Sequence, residues 1–180
     1  MALSRRNGIF VLSAGLTVAV VLLTAMVRLD QPLRTVAAPR GIVSFELAGD
    51  PAAVQAILAS WGPAGRRQAL LSLRLDYPFL IAYALVLWML CRMVASAWPD
   101  RYRRTKRTGS TVGNAQWAAV LLDAIENGML QMILAGSLAA FPPLVARWCA
   151  LVKFALIACA WFYIVTAGGL RLLWLRPISK

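Results

Sequence analysis

Gln116-Trp-Ala-Ala-Val-Leu-Leu-Asp-Ala-Ile-Glu-Asn-Gly-Met-Leu-Gln-Met-Ile-Leu-Ala-Gly-Ser-Leu-Ala139 is long and apolar enough to cross a bilayer, yet it carries Asp123, Glu126 and Asn127 near its middle. A helix needs about 20 largely apolar residues to traverse the hydrocarbon. Spacings of i, i+3 and i+4 place the three polar residues on one helical face, with Gln116 and Gln131 near the same line. A charge at mid-membrane costs roughly 2.5 to 3.5 kcal/mol on insertion scales. The spacing therefore predicts that this face turns toward other helices and away from lipid.

Only a few residues around Phe141-Pro142-Pro143 separate this run from the next apolar one, Leu144 to Ala167, whose interior holds Lys153. So short a connection predicts an antiparallel helical hairpin. If the two helices are centred near residues 127 and 155, Glu126 and Lys153 differ in depth by about 6 Å and Asp123 and Lys153 by roughly 10 Å. The sequence thus predicts an ion pair between Glu126 and Lys153. A second carboxylate beside one ammonium is costly in hydrocarbon unless it carries a proton, and Asp123 is the candidate for that state.

Two further apolar runs precede these. Ile9 to Val27 follows Arg5 and Arg6 and is longer than the apolar core of a signal peptide, so it reads as an uncleaved anchor. Another run ends near Ala97, and its start has two readings. Asp76 and Pro78 look like the opening of a helix, with Asp76 as an N-cap at the membrane surface. Alternatively the helix begins near Gly65, Pro78 kinks it, and Asp76 is drawn inside. In either case Asp76 and Tyr83 share a face, with Phe79 between them.

The chain of 180 residues is 61% hydrophobic and 14% charged, which is membrane-protein composition. The reading is an all-α membrane protein, a bundle of four transmembrane helices at about 9–27, 76–97, 116–139 and 144–167. Its net charge of +12 is distributed as a topology signal. Arg101, Arg103, Arg104, Lys106 and Arg107 crowd a loop at 98–114, which is expected to be cytoplasmic. Arg5, Arg6, Arg171, Arg176 and Lys180 place both termini on the same side. Basic residues between 28 and 75 are spread thinly, so that segment is expected to form a small non-cytoplasmic cap. With no interleaved aromatics or binding fold, nucleic acid is not an expected partner. Membrane lipids are.

Within the cap, Gly41-Ile-Val-Ser-Phe-Glu-Leu-Ala48 alternates Val43, Phe45 and Leu47 with Ser44 and Glu46, the pattern of a short strand or interfacial segment. Asp50-Pro51 is a helix start, and Gly62 follows Val54, Ile57, Leu58 and Trp61 at helical spacing. That predicts an amphipathic helix on the membrane surface with Trp61 at headgroup level.

The chain has no histidine and three cysteines, Cys91, Cys149 and Cys159, all in apolar segments. No metal site, cofactor or disulfide framework is expected from that pattern. Phosphate loops, Gly-x-Ser-x-Gly and metal-ligand spacings are likewise missing, so no reaction class is legible.

Gly41-Ile-Val-Ser-Phe-Glu-Leu-Ala-Gly49, Ile57-Leu-Ala-Ser-Trp-Gly62, Leu75-Asp-Tyr-Pro-Phe-Leu-Ile-Ala-Tyr83 and Leu122-Asp-Ala-Ile-Glu-Asn127 together resemble a family of bacterial four-helix integral inner-membrane proteins with no established activity. The resemblance covers most of the chain. It implies that fold, that topology and an inner-membrane location, and adds no substrate.

The expected function is to bind or modify a lipophilic molecule inside the bundle. Asp123, Glu126 and Lys153 are the candidate catalytic residues, and Asp76, Tyr83, Asn127 and Glu46 the candidate binding residues, with Glu46 reaching the site if the cap folds inward. Proton- or ion-coupled transport by an oligomer, and service as an accessory subunit of a larger membrane complex, are the alternatives.

Overall fold

The computed structural model describes residues 5–137 and 139–174. Arg176 and Lys180, two of the predicted topology signals, lie outside that range. Four long helices make up the bundle: α1 (Arg5–Asp30), α3 (Pro51–Ala97), α4 (Arg103–Leu134) and α5 (Phe141–Trp174). A short helix α2 (Ile42–Glu46) and two 3-10 turns, Gln31–Leu33 and Asp100–Tyr102, lie between them. Each of the four long helices is long and apolar enough to cross a membrane, and among the described residues there is no strand.

The Gly41–Ala48 stretch is helical rather than extended. Gly41 takes φ 57° and ψ −127°, a conformation closed to side chains with a Cβ. The turn it makes lets the carboxylate of Asp30 accept the Ile42 N–H at 2.7 Å. Helical geometry then buries consecutive residues, Phe45 against Trp61 and Glu46 toward the bundle interior, where a strand would have sent them to opposite faces.

Helix α3 starts where Asp50-Pro51 predicts. The Asp50 side chain accepts from the Ala53 N–H at 2.8 Å, and Asp50→Ala is expected to lower stability by about 1 kcal/mol in thermal unfolding. Gly62 interrupts the helix with φ 58° and ψ −171°. The segment ahead of that break differs from the surface helix expected from sequence. Val54, Ile57, Leu58 and Trp61 are buried with Phe45, Leu33, Leu73, Leu130 and Ile133. Trp61 is only 6% exposed, packs edge-on to Phe45 with ring centroids 5.2 Å apart, and donates its indole N–H to the Leu33 carbonyl at 2.7 Å. The 30–46 connection covers it, which explains why the ring is withdrawn from the surface.

Beyond Gly62 the helix runs through Pro63 and Pro78 to Ala97. Asp76 is therefore a mid-helix residue, buried, and no N-cap. At the far end α4 begins at Arg103, inside the stretch read as the basic loop, and α5 continues past Gly168-Gly169 to Trp174. Helices of 32 and 34 residues reach about 50 Å, well beyond the roughly 30 Å of hydrocarbon.

Helix α4 packs extensively on both α3 and α5, whereas α1 rests mainly on α3 among the long helices and is little buried. Close approach occurs at the basic end. Tyr163 lies directly on Gly109, where a Cβ has no room, and donates its hydroxyl to the Thr105 carbonyl at 3.2 Å. Gly113 lets α4 meet Cys91 of α3. Gly128, by contrast, has open space beside it.

Candidate functional site

Helices α3, α4 and α5 each contribute one polar face, and these faces converge. From α4 come Asp123, Glu126 and Asn127, each at most 2% exposed. From α5 comes Lys153, and from α3 Ser72, Asp76 and Tyr83, on the i, i+4, i+11 line. The short helix α2 adds Glu46 from the cap side.

The Lys153 ammonium is the hub. It hydrogen-bonds Asp123 Oδ1 at 2.6 Å and lies 2.8 Å from Glu126 Oε2, in an ion pair whose angle falls outside hydrogen-bond geometry, since that oxygen has no hydrogen-bond partner. The pair with Glu126 was expected; the stronger contact with Asp123 corrects the depth estimate. Counted from the middle of the α4–α5 turn, Asp123 and Lys153 are each about 15 residues away, so the hairpin sets them level. Glu126 is one turn nearer the connection and still within the lysine's reach.

Asp123 also accepts the Tyr83 hydroxyl on Oδ2 at 3.0 Å. Both of its oxygens therefore meet a donor. Asn127 donates its amide to Asp76 Oδ2 at 2.6 Å and so fastens α4 to α3. Gln116, two turns beyond Asp123 toward the basic end, donates to the Leu156 carbonyl of α5 at 3.1 Å.

Two carboxyl groups are left incompletely paired. Glu46 Oε2 and Glu126 Oε1 are buried without a hydrogen-bond partner. Glu46 sits outside the four long helices, and there burial pushes its carboxyl up to about 7, against the opposing pull of Lys153. In all, four carboxyl groups, Glu46, Asp76, Asp123 and Glu126, share a single amine.

This polar group forms the floor of a cavity of about 730 Å³ whose lining includes Glu46, Ser72, Asp76, Tyr83, Asp123 and Lys153. Its walls are Leu16, Ala19, Val20, Leu23 and Val27 of α1 on one side and Phe154, Ile157 and Trp161 of α5 on the other, with Phe79 between. Because α1 rests on α3 and makes no comparable contact with α5, the two walls stand apart and the cavity faces outward between them. Glu126 and Asn127 lie behind the floor and hold its lining residues in place.

Sequence reasoning missed Ser72, which lies one turn from Asp76 on the same face, and the α1 and α5 walls, whose residues look like any lipid-facing surface. It also missed Asp30, which accepts from Ile42 N–H and from Arg34 Nε at 3.1 Å and thereby sets the turn that carries Glu46 inward. An aspartate closing an apolar run was the available signal. Among the described residues no cluster of histidine, cysteine and carboxylate suited to a metal is formed. Comparison of the chain with protein-family models, curated proteins and solved structures gives no match.

Proposed function

We propose that this chain is a multi-pass protein of the bacterial inner membrane that binds a lipophilic molecule in the cavity between α1 and α5, with the molecule's polar end at the carboxylate and lysine floor. Both termini lie in the cytoplasm on this reading, the basic end of the bundle faces the cytoplasm, and residues 28–75 form the outer cap. The observation that supports binding most directly is the cavity itself. A volume of about 730 Å³ with apolar walls and a small, convergent polar floor is the usual form of a small-molecule site.

Its chemistry also exceeds what helix registration requires. One ion pair suffices to fix two helices, whereas here three long helices and α2 bring buried polar groups to one point. The lateral gap suits a ligand that arrives from the bilayer. Lys153, Asp123 and Tyr83 are already bonded to one another, so they position the floor and fix its charge, and Glu46 and Asp76 are the groups left to meet a ligand.

Protein purified in a mild detergent is expected to carry a lipophilic molecule, detected by mass spectrometry of its organic extract. In the double variant Ala19→Trp, Leu23→Trp, two indoles occupy the cavity from the α1 side, and the molecule should be lost while the protein keeps its chromatographic profile. Equal retention by both proteins would remove this reading.

A further inference from the structure

The proposed ligand site has an uneven balance of charge and of hydrogen-bonding groups, and this bears on the class of ligand. On the binding reading above, that imbalance sets the charge of the ligand's polar end. The donors of Lys153, Tyr83 and Asn127 already have acceptors: the Lys153 ammonium has Asp123 and Glu126, the Tyr83 hydroxyl has Asp123, and the Asn127 amide has Asp76. The acceptors are in surplus. Asp76 is met only by a neutral amide, and Glu46 Oε2 by nothing, although Glu46 lines the cavity and is nine-tenths buried.

Neither of the cations at the rim supplies the deficit. Arg34 is bound to Asp30, and Arg40 is exposed to solvent. What the floor lacks is therefore a positive charge carrying N–H or C–H donors. Aromatic rings stand beside it: Phe79 and Tyr83, with centroids 5.5 Å apart, and across the cavity Trp161, while the Phe154 ring already meets the Lys153 ammonium at 5.1 Å.

We propose that the cavity selects a cationic amphiphile, an alkylammonium compound whose head lies between Glu46 and Asp76 and whose chain lies between α1 and the Phe154–Trp161 side of α5. A sulfate or phosphate head at the same place would set like charge against Glu46 and Asp76. A neutral head would leave the floor's surplus acceptors without a counter-charge.

The test compares three probes of equal chain length, decylammonium, decanol and decyl sulfate, on the full-length protein in a maltoside detergent, followed by calorimetric titration and by thermal stabilisation. Decylammonium is expected to bind saturably and about tenfold or more tighter than either of the others. In Glu46→Gln that preference should shrink about tenfold while decanol binding holds. Decanol or decyl sulfate matching decylammonium on the wild-type protein overturns the charge preference and leaves lipophile binding standing. Binding of none of the three overturns this inference, and the extract from the purified protein then decides separately whether the cavity holds a lipophile at all. Should Glu46→Gln fail to fold, the three-probe comparison on the wild-type chain still decides the matter.

Discussion

Replacing Lys153 with methionine is expected to destabilise the protein by about 3 to 5 kcal/mol, the usual cost of removing one partner from a buried ionic group. The side chain of Lys153 is 6% exposed, and those of Asp123 and Glu126 are 4% and 0% exposed. Methionine preserves the length of the chain and its packing, so the loss isolates the charge. Asp123 would keep only the Tyr83 hydroxyl, and Glu126 would lose the ammonium it pairs with. Unfolding of the detergent-solubilised protein checks the magnitude. A triple variant that adds Asp123→Asn and Glu126→Gln should recover a large part of the loss, because the two carboxylates in contact with the ammonium are then neutral as well. A loss below about 1 kcal/mol in the single variant would mean that water reaches these carboxylates and replaces the ammonium.

The second large effect is expected at Gly41. Its backbone conformation is open only to glycine, and a Cβ there would collide with the Asp30 carboxylate. Gly41→Ala should therefore combine backbone strain of about 1 to 3 kcal/mol with loss of the charge-assisted bond from Ile42 N–H, worth roughly another 1.5 to 3 kcal/mol. The chain can relax by turning α2 away. That relaxation predicts a functional signature beyond reduced stability, because α2 carries Glu46. Retention of the proposed lipophile should fall in Gly41→Ala even at temperatures where the protein remains folded. Gly128→Ala is the control: it lies in open space on α4, and alanine there should be neutral or stabilise by up to about 1 kcal/mol.

The four long helices and the acidic face of α4 were legible because both rest on local regularities: apolar length against bilayer thickness, and a spacing of three and four residues. Lys153 was legible because a lone amine deep in an apolar run demands a counter-charge. The pairing of Lys153 with Asp123 was not, since it depends on where the α4–α5 turn falls, and a count from estimated helix centres displaced the two helices by about two turns. The burial of Trp61 and the helical turn at 42–46 were missed for a shared reason. Both follow from Asp30 and Gly41, residues whose effect is felt only after the chain has folded back on itself. An alternating pattern of five residues could not reveal that Phe45 and Glu46 face the same interior. The cavity walls were the least visible part, because an apolar side chain that lines a cavity and one that faces lipid obey the same composition rule.

The polar floor lies off-centre along the bundle. Glu126 is 8 residues from the end of α4 at Leu134, whereas 23 residues separate it from Arg103, so it stands about 12 Å from one end of that helix and about 35 Å from the other. A unit charge carried across the whole hydrocarbon exchanges about 2.3 kcal/mol with the field for every 100 mV. On the proposed topology a cation entering from the cap side would cross about 12 Å of the roughly 30 Å of hydrocarbon, about two-fifths of that drop or roughly 0.9 kcal/mol per 100 mV, so de-energising the cells should lower occupancy of the site several-fold.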